Sequence, residues 1–399
     1  MSLLHCICIS ICLLIMINTF PHPQIIPLQF TSSYIPITIQ NTTLYLQLNM
    51  NVDYMWLTDI PYSIYNSISY YDNITIEIDN FYIQGHIISF NSFTLSNHTD
   101  FTFNNFPLIK LSFAMKQQYP SFPLCYHFRN TSYSIIHYLH NNNYIPKLMF
   151  TITSRYDKGM LYLGGIPPYI QSSYPYTTHC AVNATSDEQW ECTLSEISFQ
   201  NGKVFPISND DVTTRITALF QVNENLIKAP FKFYDFVLGN IFNSFMDNNT
   251  CIYTTRELPL PISCRCEALK YFPDMYLRFG KSEVITLTKE MMFARNEDDD
   301  YCVFMIECNY EEDKYGRNDY WVIGRMVMDG FAMVFNYEDK VVGFYSKKEF
   351  GKGLGLNNNN NKGIIVCIMK NIICMLSIFS LFLFMVYYYK LNINFNAKR

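Results

Sequence analysis

The chain has 399 residues and a formal net charge of −5 at pH 7. A chain of this length can hold two lobes of ordinary size, each with its own core, and its acidic balance argues against a nucleic-acid partner. Aromatic residues make up 17% of the chain, a composition that fits a β-rich protein.

The N-terminal segment is an apolar run of signal-peptide length. Residues 2–17 carry no acidic residue, Lys or Arg, and prolines follow at Pro21 and Pro23. Such a run is typical of a cleaved signal peptide. The alternatives are an uncleaved anchor or a buried strand, since the run lacks the usual basic n-region. We expect residues 1–20 to be a signal peptide.

Six Asn-X-Ser/Thr sequons follow this segment, which makes them candidates for N-glycosylation in a secretory compartment. The candidate acceptors are Asn41, Asn73, Asn97, Asn130, Asn183 and Asn248.

Eight of the 13 cysteines lie between the two terminal apolar segments. An even number in an oxidising compartment predicts four disulfides, and eight cysteines permit 105 pairings that the sequence does not choose between. Cys264 and Cys266 are one residue too close for a zinc site and have no His-rich partner, so we expect no metal. The eight are Cys125, Cys180, Cys192, Cys251, Cys264, Cys266, Cys302 and Cys308.

The C-terminal end has the pattern of a single membrane span. Residues 372–389 contain no charge, and as a helix they would extend about 27 Å, close to the thickness of a bilayer core. The run ends in Tyr387–Tyr389 and Lys390 follows, as at a cytosolic interface. We expect a linker rich in Asn and Gly at 351–362, a transmembrane helix at 363–389 and a cytosolic tail at 390–399. The protein would then be a type I single-pass membrane protein with a luminal or extracellular ectodomain.

The stretch just before the linker, residues 320–345, reads YWVIGRMVMDGFAMVFNYEDKVVGFY. Apolar, β-rich runs around Gly324 and Gly343, separated by a polar bridge, predict a strand and a short helix followed by a hairpin. The stretch resembles the C-terminal signature of pepsin-like aspartic peptidases, where Trp-Ile-Leu-Gly-Asp is followed by a Val-Phe-Asp strand, a turn and Val-Gly-Phe-Ala. It departs from that signature at Arg325, where the family has Asp, and at Asn336.

Other landmarks of the family follow in order along the chain. Residues 148–167 resemble the end of the first lobe, where a strand ending in Ser is followed by a turn and a strand ending in Gly-Gly-Ile. Residues 190–199 resemble the next strand, and Pro273 follows Cys266 at the spacing seen after a half-cystine in the second lobe.

The resemblance spans residues 44–346 and implies a fold. That fold is mostly β and bilobal, with an N-terminal lobe at 30–170 and a C-terminal lobe at 171–350, here followed by a C-terminal transmembrane helix. The resemblance also implies a disulfide between Cys266 and Cys302.

The resemblance locates two catalytic positions. Pepsin-like peptidases activate a water between two Asp carboxylates, one from each lobe, and these share one proton. Alignment on Trp56 places Asn49 at the first position, and residues 218–230 place Gln221 at the second. Neither amide titrates near neutral pH or takes a proton from water. We therefore expect no catalytic residue at either position.

The flap position and three carboxylates are further candidates for the site. Ile78 falls at the position of the flap tyrosine, in a turn without the family's glycines. Asp53, Asp79 and Glu224 are candidates for a relocated pair, although exposed turn carboxylates are the simpler interpretation. Trp56 is a candidate to line the cleft, although a Trp in a β-rich lobe is more often core.

These observations predict an inactive, membrane-anchored homologue that binds a polypeptide or protein ligand in the interlobe cleft by strand addition, without a cofactor. One alternative is an active membrane-anchored aspartic endopeptidase, if the alignment of the first lobe is wrong. A second is a surface adhesion or structural protein on the same scaffold, in which the cleft would be closed.

Overall fold

The structure is a computed structural model. The described residues all lie between positions 23 and 347 and belong to one compact unit. The predicted signal peptide, linker, membrane span and tail lie outside the residues that the structure describes. Among those residues, no helix combines the length and apolar character needed to cross a bilayer. The described residues are 23–39, 42–58, 68–78, 81–90, 93–95, 102–103, 106–111, 120–126, 134–155, 158–184, 189–206, 216–253, 262–281, 283–295, 300–309 and 320–347.

The described residues are mostly in β-strands. The strands of the first half are β1 (Ile26–Thr31), β2 (Tyr34–Ile39), β3 (Thr42–Asn49), β4 (Trp56–Leu57), β5 (Ile68–Ile78), β6 (Phe81–Phe90), β7 (Phe93–Leu95), β8 (Thr102–Phe103), β9 (Pro107–Leu111), β10 (Ser121–Pro123), β11 (Met149–Arg155) and β12 (Lys158–Leu163). Those of the second half are β13 (Tyr176–Ala181), β14 (Glu191–Phe199), β15 (Val204–Phe205), β16 (Thr217–Phe220), β17 (Ile227–Pro230), β18 (Cys251–Tyr253), β19 (Ile262–Arg265), β20 (Met275–Phe279), β21 (Glu283–Leu287), β22 (Phe293–Arg295), β23 (Tyr301–Phe304), β24 (Ile306–Asn309), β25 (Tyr320–Ile323), β26 (Phe331–Asn336) and β27 (Val341–Ser346).

The helices are short. They are α1 (Ile135–Asn141), α2 (Pro168–Ser173), α3 (Phe231–Val237), α4 (Asn243–Asp247), α5 (Lys289–Met292) and α6 (Arg325–Gly330), with a π-helical segment at Leu238–Phe242 and a 3₁₀ segment at Cys266–Tyr271.

The strands of the described residues form three sheets. A 15-stranded sheet has the order β13-β27-β26-β11-β12-β1-β2-β3-β10-β4-β9-β6-β5, with β7 and β8 beside it. An 8-stranded sheet has the order β21-β20-β14-β16-β25-β17-β24, with β15 beside β14, and a 4-stranded sheet has the order β18-β19-β23-β22. The C-terminal strands β26 and β27 thus enter the sheet of the first lobe, which ties the lobes together.

The strands bury alternate residues, as expected when one face of a sheet covers a core. In β1, Ile26, Leu28 and Phe30 are each at most 1% exposed, whereas Gln29 and Thr31 are exposed. The mostly β, bilobal architecture expected from the sequence is therefore present.

The C-terminal signature folds as predicted, with β25, α6, β26 and β27 in order. Gly324 stands where β25 passes into α6, and a Cβ there would lie 2.1 Å from the carbonyl oxygen of Leu226. Only glycine permits this close approach of two backbones. In the turn between β26 and β27, the Oδ1 of Asn336 accepts the backbone N–H groups of Glu338 (2.9 Å) and Asp339 (3.0 Å), so the asparagine supports a side-chain turn.

An aromatic cluster holds the two lobes together around Trp190. This residue is fully buried, and its indole N–H donates to the carbonyl oxygen of Leu124 at 2.7 Å. Its ring lies 5.8, 5.2 and 4.9 Å from the rings of Phe150, Phe335 and Tyr337. The indole N–H is therefore satisfied, as a buried Trp requires.

Within the described chain, three disulfides join six of the eight cysteines that lie between the terminal apolar segments. Cys266 and Cys302, the pair implied by the resemblance, are bonded with an S–S distance of 2.01 Å. The others are Cys180–Cys192 and Cys251–Cys264.

The expectation of four disulfides was wrong, because Cys125 and Cys308 are buried thiols. Cys125 follows β10 of the largest sheet, whereas Cys308 lies in β24 at the end of the 8-stranded sheet. The even count predicted a fourth pair that the structure does not form.

Candidate functional site

The first substituted position, Asn49, lies at the end of β3. Its carbonyl oxygen accepts the N–H of Leu124 at 2.7 Å, and its side-chain Oδ1 accepts the N–H of Asn51 at 2.9 Å. A backbone N–H only donates, so the oxygen of the amide faces it and the Nδ2 group is left for other partners. The position that the resemblance assigns to a carboxylate therefore offers an N–H donor.

The second substituted position, Gln221, directly follows β16. Its N–H donates to the carbonyl oxygen of Ile323 at 3.1 Å, and its own carbonyl oxygen accepts the N–H of Glu224 at 3.3 Å. Asn223, at the position of the family's turn glycine, does not have a positive φ. Its Oδ1 is buried without a hydrogen-bond partner among the described residues. The turn therefore forms without the glycine.

Ser33 connects the two positions. Its carbonyl oxygen accepts the N–H of Leu48 at 2.8 Å, and its hydroxyl donates to the carbonyl oxygen of Val222 at 2.9 Å. Leu48 precedes Asn49 and Val222 follows Gln221, so one residue, through its backbone and its side chain, contacts both loops. Ser33 is 1% exposed and has a φ of 68°.

Arg325 completes this junction from the second lobe. It is 7% exposed, and its Nη1 donates to the hydroxyl oxygen of Ser33 at 3.0 Å, while Nη2 donates to Oδ1 of Asn225. Its backbone N–H donates to the carbonyl oxygen of Glu224 at 2.7 Å, which satisfies one of the N–H groups left open at the start of α6. We call Ser33, Asn225 and Arg325 the interlobe junction.

The interlobe junction carries a positive charge. Where the family has an Asp, this chain has a guanidinium, which stays protonated at every ordinary pH. The site therefore combines two neutral amides with one fixed positive charge. The sequence showed the substitution at Arg325 but gave no sign of Ser33, which lies in the turn between β1 and β2.

The candidates for a relocated carboxylate pair have different surroundings. Asp53 is 7% exposed, so the expectation of an exposed turn carboxylate was wrong for this residue, which folds inward after β3. Glu224 forms an ion pair with Lys228 at 3.2 Å, and the two side chains are 30% and 26% exposed. Asp79 lies outside the described residues.

Trp56 does not line an open cleft. It is 2% exposed and belongs to a small cluster with Val52, Ile109 and Leu111. Its strand β4 lies between β9 and β10, which explains the burial. Trp56 is therefore a core residue, and the hypothesis that it lines the cleft was wrong.

The flap position lies in a long hairpin. Ile78 ends β5 and is paired with Phe81, the first residue of β6. Strand β5 is the last in the order of the largest sheet. The hairpin also carries the sequon residue Asn73, which is exposed and whose Oδ1 lies 2.7 Å from Nδ1 of His86.

The other sequons differ in accessibility. The side chain of Asn183 makes two hydrogen bonds. Its Nδ2 donates to Oε1 of the buried Glu191 at 2.9 Å, and its Oδ1 accepts a hydrogen bond from the hydroxyl of Thr193 at 2.7 Å. Asn248 is exposed, with its Nδ2 donating to the carbonyl oxygen of Ser244 at 2.9 Å. Asn41, Asn97 and Asn130 lie outside the described residues.

The paired lobes, the shared sheet and the two loops that meet at Ser33 define the class of an aspartic-peptidase fold. The family model for eukaryotic aspartyl proteases matches residues 76–347. The chain belongs to the eukaryotic aspartyl protease family.

Two solved structures are similar to this chain over their whole length. The aspartic proteinase from Irpex lacteus has a TM-score of 0.60 at 10% identity, covering 82% of this chain and 99% of its own. Basic 7S globulin from soybean has a TM-score of 0.63 at 11% identity, covering 83% of this chain and 100% of its own. No curated protein matches the sequence significantly. At these identities the likeness shows the fold alone.

Proposed function

We propose that this protein is a catalytically inactive aspartic-peptidase homologue that binds an extended polypeptide in the cleft between its lobes. The observation that carries the proposal is the pair of amides, Asn49 and Gln221, at the two loops that meet at Ser33. A dyad that shares one proton needs two carboxyls, and neither amide supplies one.

The charged residues near the two amides also support the loss of peptidase activity. Arg325 places a permanent cation in the interlobe junction, and a cation favours the ionised form of any carboxyl near it. Glu224 is paired with Lys228. The fixed positive charge therefore disfavours a proton shared between two carboxyls at this site.

The same features support binding. A side-chain amide donates and accepts hydrogen bonds, as a peptide group does. Strand β5, in the flap hairpin, has a neighbour on one side only among the described strands. An extended peptide adds to such an edge through backbone hydrogen bonds.

The location is part of the proposal. Residues 1–20 would direct the chain into the secretory pathway and residues 363–389 would anchor it, so that the lobes face the lumen or the cell exterior. Three disulfides within the described chain fit an oxidising compartment.

The experiment is incubation of the purified full-length protein with a mixed peptide library from about pH 3 to 7, with and without pepstatin, followed by mass spectrometry of bound and cleaved peptides. The Asn49→Asp/Gln221→Asp variant and the amide-conserving Asn49→Gln/Gln221→Asn variant are measured beside it. The proposal expects retained, uncleaved peptides with the unaltered protein.

Two results would contradict the proposal in different ways. Pepstatin-sensitive cleavage by the unaltered protein would establish an active endopeptidase. Folded protein that retains no peptide at any pH would favour an adhesion or structural role.

A further inference from the structure

Five tyrosines lie together on one side of the largest sheet. The ring centroids of Tyr162 and Tyr169 are 6.0 Å apart, and those of Tyr169 and Tyr174 are 6.2 Å apart. The ring centroids of Tyr176 and Tyr345 are 5.3 Å apart. A single residue separates Tyr174 from Tyr176, so the two groups of rings are neighbours. We call these five tyrosines the tyrosine face.

The tyrosine face lies on the side of the sheet opposite the interlobe aromatic cluster. The ring of Phe335 in β26 lies 5.2 Å from that of Trp190, so its neighbour Val334 points to the other side of the sheet. Cross-strand partners share a side. Val334 is paired with Thr151, which in turn is paired with Tyr162. Tyr162 therefore faces away from Trp190.

Both substituted catalytic positions connect to the Trp190 side. The carbonyl oxygen of Leu124 accepts the indole N–H of Trp190, and the N–H of Leu124 donates to the carbonyl oxygen of Asn49, each at 2.7 Å. The N–H of Phe220, which precedes Gln221, donates to the carbonyl oxygen of Trp190 at 3.0 Å. A partner on the tyrosine face would therefore leave these positions uncovered.

The rings of the tyrosine face are exposed, but their polar ends are already hydrogen-bonded. Tyr169 and Tyr176 are 43% and 53% exposed. The hydroxyls of Tyr162 and Tyr169 share a hydrogen bond at 2.9 Å, and the hydroxyl of Tyr176 lies 2.5 Å from Nδ1 of His179. Burial of a polar group costs less when it keeps a hydrogen bond. These rings can therefore leave water at a reduced cost.

The surface around the tyrosine face carries little charge. Residues 159–184, which contain four of the five tyrosines, include no Lys, Arg, Asp or Glu. Charges of both signs lie at the margin. Arg155 and Lys158 are exposed cross-strand partners, and Glu283 is close enough for its charge to act on Tyr176. An uncharged aromatic surface of this kind suits a zwitterionic lipid interface better than a strongly charged one.

The chain leaves the described fold beside this surface. Tyr345 lies at the end of β27, and Lys347 is the last described residue. The Nζ of Lys347 donates to the carbonyl oxygens of Ser154 at 2.6 Å and Met328 at 2.7 Å, which fixes this end of the strand. Residues 348–362 separate it from the expected transmembrane helix. A flexible linker of that length has a root-mean-square end-to-end distance of about 20 Å, so an anchored chain would keep Tyr345 close to the bilayer.

We propose that the tyrosine face lies on the headgroup region of the bilayer that anchors the chain, so that the loops of Asn49 and Gln221 face the aqueous side. A tyrosine ring suits this region because its body is apolar and its hydroxyl is polar. The anchor holds the face at a high effective concentration near lipid, so a weak contact is sufficient. This inference rests on the membrane anchoring in the proposed function, and not on peptide binding.

The test is hydroxyl-radical footprinting of the full-length protein in phosphatidylcholine liposomes, with labelling of each tyrosine measured by mass spectrometry. Tyr45 and Tyr271, which are 62% and 69% exposed, are references within the same molecule. We expect labelling of Tyr169 and Tyr176 to fall at least about fivefold below the references, because lipid excludes water from rings at the interface. High salt should leave this protection unchanged, since the face carries no charged side chain.

A matched pair of variants tests whether the rings hold the face on the lipid. Tyr176→Ser removes the most exposed ring of the face, whereas Tyr271→Ser makes the same change at an exposed tyrosine elsewhere. The first should raise the labelling of Tyr169 about threefold or more, because an interfacial ring is lost. The second should leave it unchanged. Equal labelling of Tyr169 in the two variants would overturn the proposal.

Liposome flotation separates this inference from the proposed anchoring. A chain that does not float with the liposomes would refute the anchoring and this inference with it. A chain that floats while Tyr169 and Tyr176 are labelled as strongly as the references would refute this inference alone. Protection that disappears when the protein is diluted in lipid would also overturn it, since a second copy of the chain would then cover the face. Peptide binding is measured separately, so none of these results decides it.

Discussion

Replacement of Arg325 by methionine should destabilise the protein through the interlobe junction. The side chain is 7% exposed and donates to Ser33 and Asn225. A hydrogen bond from a charged group contributes about 1.5 to 3 kcal/mol. Asn225 is exposed, so water replaces its bond, whereas the bond to buried Ser33 has no such replacement. We expect a loss of about 2 to 3 kcal/mol.

The assay is thermal unfolding of the full-length protein and its variants. At roughly 2 °C per kcal/mol for a large chain, Arg325→Met should lower the midpoint by about 4 to 6 °C. The matched control is Lys228→Met in the neighbouring strand β17, which removes the partly exposed ion pair with Glu224 and should cost only about 0.3 to 0.5 kcal/mol. Equal midpoints for the two variants would refute the role assigned to the junction.

Three other outcomes follow from buried polar and aromatic groups. Asn183 is held by the buried Glu191, so site-specific glycan mass spectrometry should find Asn248 occupied and Asn183 bare; a glycan on Asn183 in folded protein would contradict this. Trp190→Ala, in the fully buried aromatic cluster, should cost about 3 to 5 kcal/mol in denaturant unfolding, and a loss below about 1 kcal/mol would show that the cluster does not join the lobes. Burial lowers the pKa of Lys347 to about 8. Between that value and its usual 10.5 the unfolded chain binds a proton that the folded protein does not, so stability relative to Lys347→Met should rise with pH across this window, by up to about 1.4 kcal/mol per pH unit. A pH-independent difference would show that the folded amine titrates normally.

Local pattern was enough to predict the C-terminal signature. The apolar runs on either side of Gly324 gave a strand, a short helix and a hairpin, because the period and the turn residues act over a few positions. The glycine itself is explained by the close backbone of Leu226. Asn49, which the spacing from Trp56 assigns to the first catalytic position, is the last residue of β3.

The contacts between residues far apart in the chain could not be predicted from the sequence. Ser33 meets Val222 across 189 residues, and Arg325 meets Ser33 across 292. Nothing in the local pattern of a turn serine indicates such a partner. The even cysteine count failed for the same reason, since pairing depends on which residues become neighbours in the fold, and Cys125 and Cys308 remain buried thiols.

The central claim is that the site at Asn49 and Gln221 binds without cleaving. The most direct measurement is the rate of cleavage of a quenched fluorescent peptide by the full-length protein at about pH 4, with pepstatin added in a parallel sample. We expect no cleavage above the uncatalysed background, with or without pepstatin. Cleavage by the unaltered protein that pepstatin abolishes would contradict it.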